Sequence, residues 1–323
     1  LAARRGQSAR HAIPGVLLLL NESLMSSPTA NLRGIAFMVL STLFFSSNDA
    51  FMKLATSGLP PFEVLFLRGL AASLWALPVV LATGNGRHLR HIADKWVVLR
   101  NSCELFAVLC FIVALANMQI ADVTALGQIA PMLLLLGVAV IYRDRIGPLR
   151  MVLIAIGFVG AICVAQPGAN GISPFAILGL LCAVGTAARD IVGRRVDPNI
   201  PTLVVAYGTL VLVMLGAGAA MLIFEHWVMP DLQHLVFLAC SGLLLSIGHF
   251  FIFLSYRTGA TAAVAPFYYM FAIWAVCSGL LVFNTLPNPL AIAGIGLITA
   301  SGVAVVLVDA RRQRPVAVEV PVS

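Results

Sequence analysis

Apolar residues fill most of this chain in runs of about 20, and short segments carrying prolines, glycines and charges separate them. Ten such runs occur, near residues 32–54, 62–83, 96–117, 123–142, 149–166, 174–193, 202–224, 234–256, 260–283 and 289–308. Roughly 20 consecutive apolar residues in an α-helix cross the hydrocarbon core of a bilayer. The pattern therefore predicts an all-α integral membrane fold with ten transmembrane helices. Composition points the same way. With 60% hydrophobic residues, 10% charged residues and a mean hydropathy of +1.00, too little polar material remains to solvate a globule of 323 residues.

The basic residues set the orientation. With the N-terminus inside, Arg4, Arg5, Arg10, Arg33, Arg87, Arg90, Lys95, Arg100, Arg143, Arg145, Arg150, Arg194, Arg195, Arg257, Arg311, Arg312 and Arg314 all fall on cytoplasmic segments. Of the 20 Lys and Arg residues, only Lys53, Arg68 and Arg189 fall elsewhere. That asymmetry follows the positive-inside rule, and one missed span would scramble it. Both termini are predicted to be cytoplasmic, in a cell inner membrane. The pI of about 9.4 is accounted for by loops meeting anionic lipid and requires no nucleic acid.

The ends carry less. Ile13–Leu20 is too short to span, and no A-x-A-like cleavage site follows it. Met25-Ser26-Ser27-Pro28 reads as a natural beginning, so residues 1–24 read as an upstream extension. Residues 1–31 and the tail at 309–323 are expected to be disordered.

An acid, a base one helical turn later and a proline seven residues beyond occur twice: Asp49, Lys53 and Pro60 recur as Asp190, Arg194 and Pro201 at one offset. Pro148 and Gly157 match Pro287 and Gly296 at an offset two residues shorter. Both halves also contain a helix-breaking position, Gly127 with Pro131 in the first and Pro266 in the second. Five helices per half is an odd number, so the second copy enters the membrane from the opposite side. This predicts two inverted five-helix repeats, at 32–168 and 169–308.

Several of these segments resemble a known family. Ala114-Leu115-Ala116, Ala121-Asp122-Val123-Thr124-Ala125-Leu126 and Ala130-Pro131 resemble the first half of the drug/metabolite transporter superfamily, in its EamA branch. Gly157-Phe158-Val159-Gly160 leading to Gln166-Pro167-Gly168 is similar to that family's fifth helix. Ala265-Pro266-Phe267-Tyr268-Tyr269, Trp274, Phe283, Leu286-Pro287, Gly294 and Gly302 resemble the second half, particularly in S-adenosylmethionine-transporter-like members. The resemblance spans about residues 32–308. It implies a central substrate cavity lined by helices 1, 3, 4, 6, 8 and 9, and an architectural role for Arg68. The family's acid after the fourth helix is present as Asp144, whereas its second-half counterpart is Thr285.

Candidate substrate-binding or gating residues follow from polar groups inside apolar helices, which are costly there and functional by default. Asn48 and Asp49 form a polar cluster with Ser46 and Ser47 in helix 1. Arg189 and Asp190 occupy helix 6, and the inverted repeat would place Asp49 and Asp190 near opposite faces as paired gates. The structural alternative is that each acid pairs with its own i+4 base, Lys53 or Arg194. Arg68 has Glu63 as a candidate partner, and Arg100 and Glu104 are an i,i+4 pair, with Glu104 the deeper candidate for a cation or proton. Gln128 lies where Gly127 and Pro131 loosen helix 4 and free carbonyls to line a cavity. Tyr268, Tyr269 and Trp274 form an aromatic wall on helix 9, able to hold a cation or simply to pack.

Other constellations are weaker. The six cysteines fall inside helices without C-x-x-C spacing. His88 and His91 lie in a basic loop, and Glu225, His226, Asp231 and His234 are spaced as an external metal site without fixed geometry. His249 reads as a lone, satisfied polar group. No G-x-x-x-x-G-K-[ST] is present, so the chain carries no nucleotide-driven motor.

These features favour a secondary transporter moving a small organic metabolite by alternating access. The acids and aromatics suit an amino-acid-like, zwitterionic or cationic substrate such as S-adenosylmethionine. An integral-membrane enzyme acting on a lipid or prenyl substrate is the alternative, but the clustered acids or nucleophile–base pair it needs are missing. A retinal-type photoreceptor would need a late-helix lysine, and only Lys53 and Lys95 exist. No cofactor is expected. The expected partners are the bilayer and a small-molecule substrate, with a proton or exchanged metabolite as coupling candidate and a homodimer as candidate assembly.

Overall fold

A computed structural model describes residues 28–143, 146–166 and 172–312, with the side chains of Tyr142, Ala262, Asp309, Arg311 and Arg312 left undescribed. Arg145, Pro167, Gly168 and Asp144, the counterpart of Thr285, lie outside the described residues, as do the extension through residue 27 and the tail from residue 313. The described chain is helical and contains ten helices long and apolar enough to cross a membrane. They are α1 (Pro28–Ala55), α2 (Pro61–Ala82), α3 (Lys95–Asn117), α4 (Ile120–Gly127 continuing as Ala130–Tyr142), α5 (Pro148–Ala165), α6 (Pro174–Gly193), α7 (Thr202–Phe224), α8 (Leu232–Thr258), α9 (Thr261–Val264, Ala265–Tyr269 and Met270–Phe283) and α10 (Pro289–Arg312).

Local chemistry explains where these helices start and stop. Proline occupies the first turn of α2, α5 and α6, where its missing N–H costs nothing. The Asp94 carboxylate accepts from the Trp96 and Val97 N–H groups at the start of α3. Asp231 does the same for His234 at α8, and that N–H holds its carboxyl below the usual range. Arg143, Gln166 and Asn284, with φ of 55°, 44° and 51°, close α4, α5 and α9 in the left-handed region. Thr285 assists the last of these, donating from N and Oγ1 to Gly279 O at 2.9 and 3.3 Å.

Three segments depart from the simple hydropathy reading. α1 begins at Pro28, before the apolar run, and its Asn31 Oδ1 accepts from Ala260 N at 3.0 Å. α4 and α9 are both interrupted, at Gln128–Ile129 and across the 3₁₀ turn Ala265–Tyr269, which are the glycine/proline positions singled out in the sequence. The second loop is a 3₁₀ helix over Asn85–Ala93, entered through Gly84 at φ 75°.

The principal helix pairings are α1 with α8, α3 with α6, α2 with α7, α5 with α10, α2 with α8, α3 with α7, α1 with α9, α4 with α6 and α4 with α9. Exchanging α1–α5 for α6–α10 maps each onto itself or onto another member of the set. Small residues let the helices approach. At the α5–α10 crossing a Cβ on Gly160 would stand 2.7 Å from Gly294 O, and one on Gly294 would stand 2.6 Å from Gly160 O. Serines tie α8 to α1: Ser255 Oγ donates to Gly34 O at 2.7 Å and Ser41 Oγ to Gly248 O at 2.9 Å.

Candidate functional site

Buried charge in a bilayer is tolerated when it is paired or faces a cavity. Here charged side chains of four different helices lie within electrostatic range of one another in an order of alternating sign, with the Arg189 links as ion pairs. Asp49 of α1 and Arg68 of α2 are each 7% exposed and act on one another electrostatically. Arg68 also feels Glu104 of α3. Glu104 Oε2 accepts from Arg189 Nη1 of α6 at 2.7 Å, and Arg189 Nε donates to Asp190 Oδ1 at 2.8 Å. The order is acid, base, acid, base, acid. It begins two turns from the C-terminal end of α1 and finishes in the last turn of α6.

Neutral groups orient this ladder. Asn48 Nδ2 donates to Asp49 Oδ1 at 2.8 Å, while Asn48 Oδ1 accepts from Ser241 Oγ at 2.7 Å. Arg100 sits beside Glu104 but donates to Asn101 Oδ1 at 2.9 Å and Thr209 Oγ1 at 2.6 Å. The Tyr268 hydroxyl lies within electrostatic reach of Arg189 and Asp190. His249 of α8, read from sequence as an isolated satisfied group, lies within electrostatic range of Glu104, Arg68 and Arg189. Its Nδ1 meets Leu245 O at 2.8 Å, so this nitrogen donates and Nε2 is left as an acceptor. Only the polarity of His249 within an apolar run signalled it.

The intrahelical pairs considered from sequence are replaced by longer-range ones. Lys53 does not pair with Asp49. Its Nζ donates to Leu115 O at 2.7 Å and Met118 O at 2.6 Å, and lies 5.7 Å from the Phe283 ring centroid. The end of α3 leaves carbonyls without intrahelical donors, and a lysine satisfies them. Asp190 takes Arg189, and Arg194 is exposed. Glu104 takes Arg189, and Arg100 turns to α7. Glu63 is fully buried and accepts from Val228 N at 3.0 Å instead of from Arg68. Glu225, a member of the spaced metal set, accepts from the Phe62 and Glu63 N–H groups at 2.9 and 3.1 Å. No group of three metal-ligating side chains occurs among the described residues.

A second polar group lies at the helix breaks. Thr124 Oγ1, both amide atoms of Gln128, Tyr269 Oη and Trp274 Nε1 are buried atoms without hydrogen-bond partners. Thr124 and Gln128 are 2% exposed and Tyr269 is 3% exposed. α4 and α9 run antiparallel here, since Ile120 meets Gly279 while Ala125 and Ile129 share a cluster with Ala272. Tyr269 turns to Gly302 of α10, so the two adjacent tyrosines serve different neighbours. Each unsatisfied buried atom costs about 1–3 kcal/mol, which a hydrogen-bonding ligand would recover.

The chain is similar to several curated proteins along most of its length. An S-adenosylmethionine uptake transporter of Rickettsia prowazekii (strain Madrid E) is 25% identical over 83% of this chain and 90% of its own. A riboflavin transporter of Rhizobium johnstonii is 25% identical over 90% and 97%, and a pseudopaline exporter of Pseudomonas aeruginosa 25% identical over 84% and 95%. A solved crystal structure superposes with a TM-score of 0.62 over 89% of this chain and 99% of its own at 21% identity, which speaks for the fold alone. Ten helices long and apolar enough to span a membrane, with relatives of this kind, mark a small-molecule membrane transporter and not an enzyme. Residues 32–166 match the model of the EamA-like transporter family.

Proposed function

We propose that this protein is a secondary transporter that carries an amino-acid-like, zwitterionic or cationic metabolite by alternating access between two inverted five-helix halves, in an inner membrane with both termini cytoplasmic. The charged ladder from Asp49 to Asp190 carries this reading. The exchange symmetry of the helix pairings supports the two-half organisation, and the distribution of basic residues supports the orientation.

In the empty protein the ladder's acids and bases compensate one another, which keeps the charges tolerable in a medium of low dielectric. A substrate bearing both an ammonium and a carboxylate replaces those partners without leaving a charge bare. The cationic group meets Asp49 or Glu104, and the anionic group meets Arg68 or Arg189. Gln128, Thr124 and Trp274 supply hydrogen bonds to the uncharged remainder, and Tyr268 closes over it. The Arg189 links to Glu104 and Asp190 then act as a gate on one side of the substrate, and the Asp49–Arg68 attraction acts on the other. S-adenosylmethionine, which one relative is named for taking up, has both required charges.

Uptake into proteoliposomes tests this directly, with labelled S-adenosylmethionine, free amino acids and riboflavin as probes, each with and without an imposed proton gradient. Saturable uptake of a zwitterion or cation is expected. Saturable transport only of neutral sugars, riboflavin or anions would overturn the substrate class.

A further inference from the structure

A cleft of about 420 Å³ lies outside the ladder, between the 3₁₀ segment Asn85–Ala93, the start of α3 and the middle of α7. Its walls are apolar: Ile92, Val98, Val211, Leu212 and Leu215 line it, with Arg90 at one end. Val98 and Leu215 are also 40% and 58% exposed on the outside of the bundle, where the bilayer is the solvent.

The cleft has a polar end and an apolar end. Arg90 and Arg87 are both exposed on the 3₁₀ segment. Trp96, the second residue of α3, has its ring 5.6 Å from Lys95 Nζ and 5.0 Å from the Arg195 guanidinium. A tryptophan held among basic groups at a helix start marks the headgroup level of a membrane. The α7 part of the lining runs from Gly208 to Leu215, and Leu215 lies thirteen residues beyond Thr202, roughly 20 Å along the helix from its start. That is about two-thirds of a hydrocarbon core roughly 30 Å thick.

We propose that this cleft is a binding site for an anionic glycerophospholipid of the surrounding leaflet, its phosphate held by Arg90 and Arg87 and one acyl chain lying against Val98, Val211, Leu212 and Leu215. Basic pockets between helices at the membrane surface recognise such headgroups by charge, and the apolar wall recognises the chain. The lipid would rest against Asn101, which lines the cleft and accepts from Arg100 and Thr209. It would thereby brace the α3–α7 contact behind Glu104.

Native mass spectrometry of the purified full chain tests the site, with phosphatidylglycerol and phosphatidylcholine of matched acyl chains as probes. Phosphatidylglycerol should be retained preferentially. Arg90→Ala should reduce that retention about fivefold, the effect of losing one surface arginine. Leu212→Trp, which fills the apolar end and leaves both arginines in place, should reduce it to a similar extent. Inorganic phosphate at millimolar concentration should not compete. Equal retention of the two lipids, full retention by Leu212→Trp, an unaffected Arg90→Ala variant, or displacement by inorganic phosphate would each overturn the proposal.

Discussion

The ladder and the neighbouring end of the bundle, where α1 and α3 finish and α2 begins, handle buried charge in opposite ways. At that end Lys53 donates to two α3 carbonyls, Glu225 accepts from two α2 N–H groups, and Glu63 accepts from Val228 N. In the ladder, Glu104, Arg189 and Asp190 pair with one another. Charge partnered by backbone is fixed, because the helix end it satisfies does not move away from it. Charge partnered by another side chain can be released when a ligand offers the same chemistry. The difference separates a clasp from a gate, although both consist of the same residue types.

Four substitutions can break or sharpen that distinction. The largest effect is expected from Glu104→Gln, which removes the acid shared by Arg68 and Arg189 and leaves Arg189 only the half-exposed Asp190. Breaking such a pair costs about 3 kcal/mol, so uptake should fall roughly a hundredfold. Glu104→Gln combined with Arg189→Gln should restore the level of expressed, folded protein but not transport. Uptake and detergent-extracted yield, measured together, check this, and full activity of the single variant would remove Glu104 from the gate. Asp49→Asn comes next. A loss of about tenfold in uptake with unchanged folded yield is expected, since its neighbour Arg68 retains Glu104.

Lys53→Met reads the other side of the comparison. Two hydrogen bonds to helix-end carbonyls are lost, so stability should drop by about 1–3 kcal/mol, seen as a lower midpoint in a thermal scan of the purified protein. The KM for the transported substrate should stay unchanged. A shifted KM at unaltered stability would make Lys53 part of the gate. Asp190→Asn should have the smallest effect, because its side chain is 40% exposed and solvent screens it. A few-fold decrease in uptake is expected, fading as salt is raised from 50 to 500 mM, and concentrations on the order of these bracket the relevant screening range.

Length and apolarity alone announced the spans, because a bilayer crossing demands both, and the interruptions of α4 and α9 were visible as Gly127 with Pro131 and as Pro266. The ladder was legible only as a set of residues. Asp49, Arg68, Glu104, Arg189, Asp190 and Tyr268 stand out as polar groups in apolar helices, but their pairing depends on which helices are neighbours. Glu104 and Arg189 are 85 positions apart, and nothing local favours that pairing over Arg100 four residues away. Lys53 shows the same limit, since the carbonyls of α3 become its partners only once α1 and α3 lie side by side. His249, read as a lone satisfied group, is satisfied by Leu245 O, but a single histidine in a helix has no pattern that announces its charged neighbours. The 3₁₀ segment at 85–93 has no periodicity that separates it from a plain basic loop.

The ladder also has an electrical consequence. Three acids alternate with two bases along it, so on the proposed mechanism a swing from one access state to the other would carry charges of both signs together and displace one net negative charge rather than three. The return of the empty carrier should then depend on voltage as one elementary charge, not three. A bound zwitterion would add nothing to the charge moved, whereas a monovalent cation would add one elementary charge, worth about 2.3 kcal/mol per 100 mV. Currents recorded from proteoliposomes on a solid support would therefore sort substrates by their net charge.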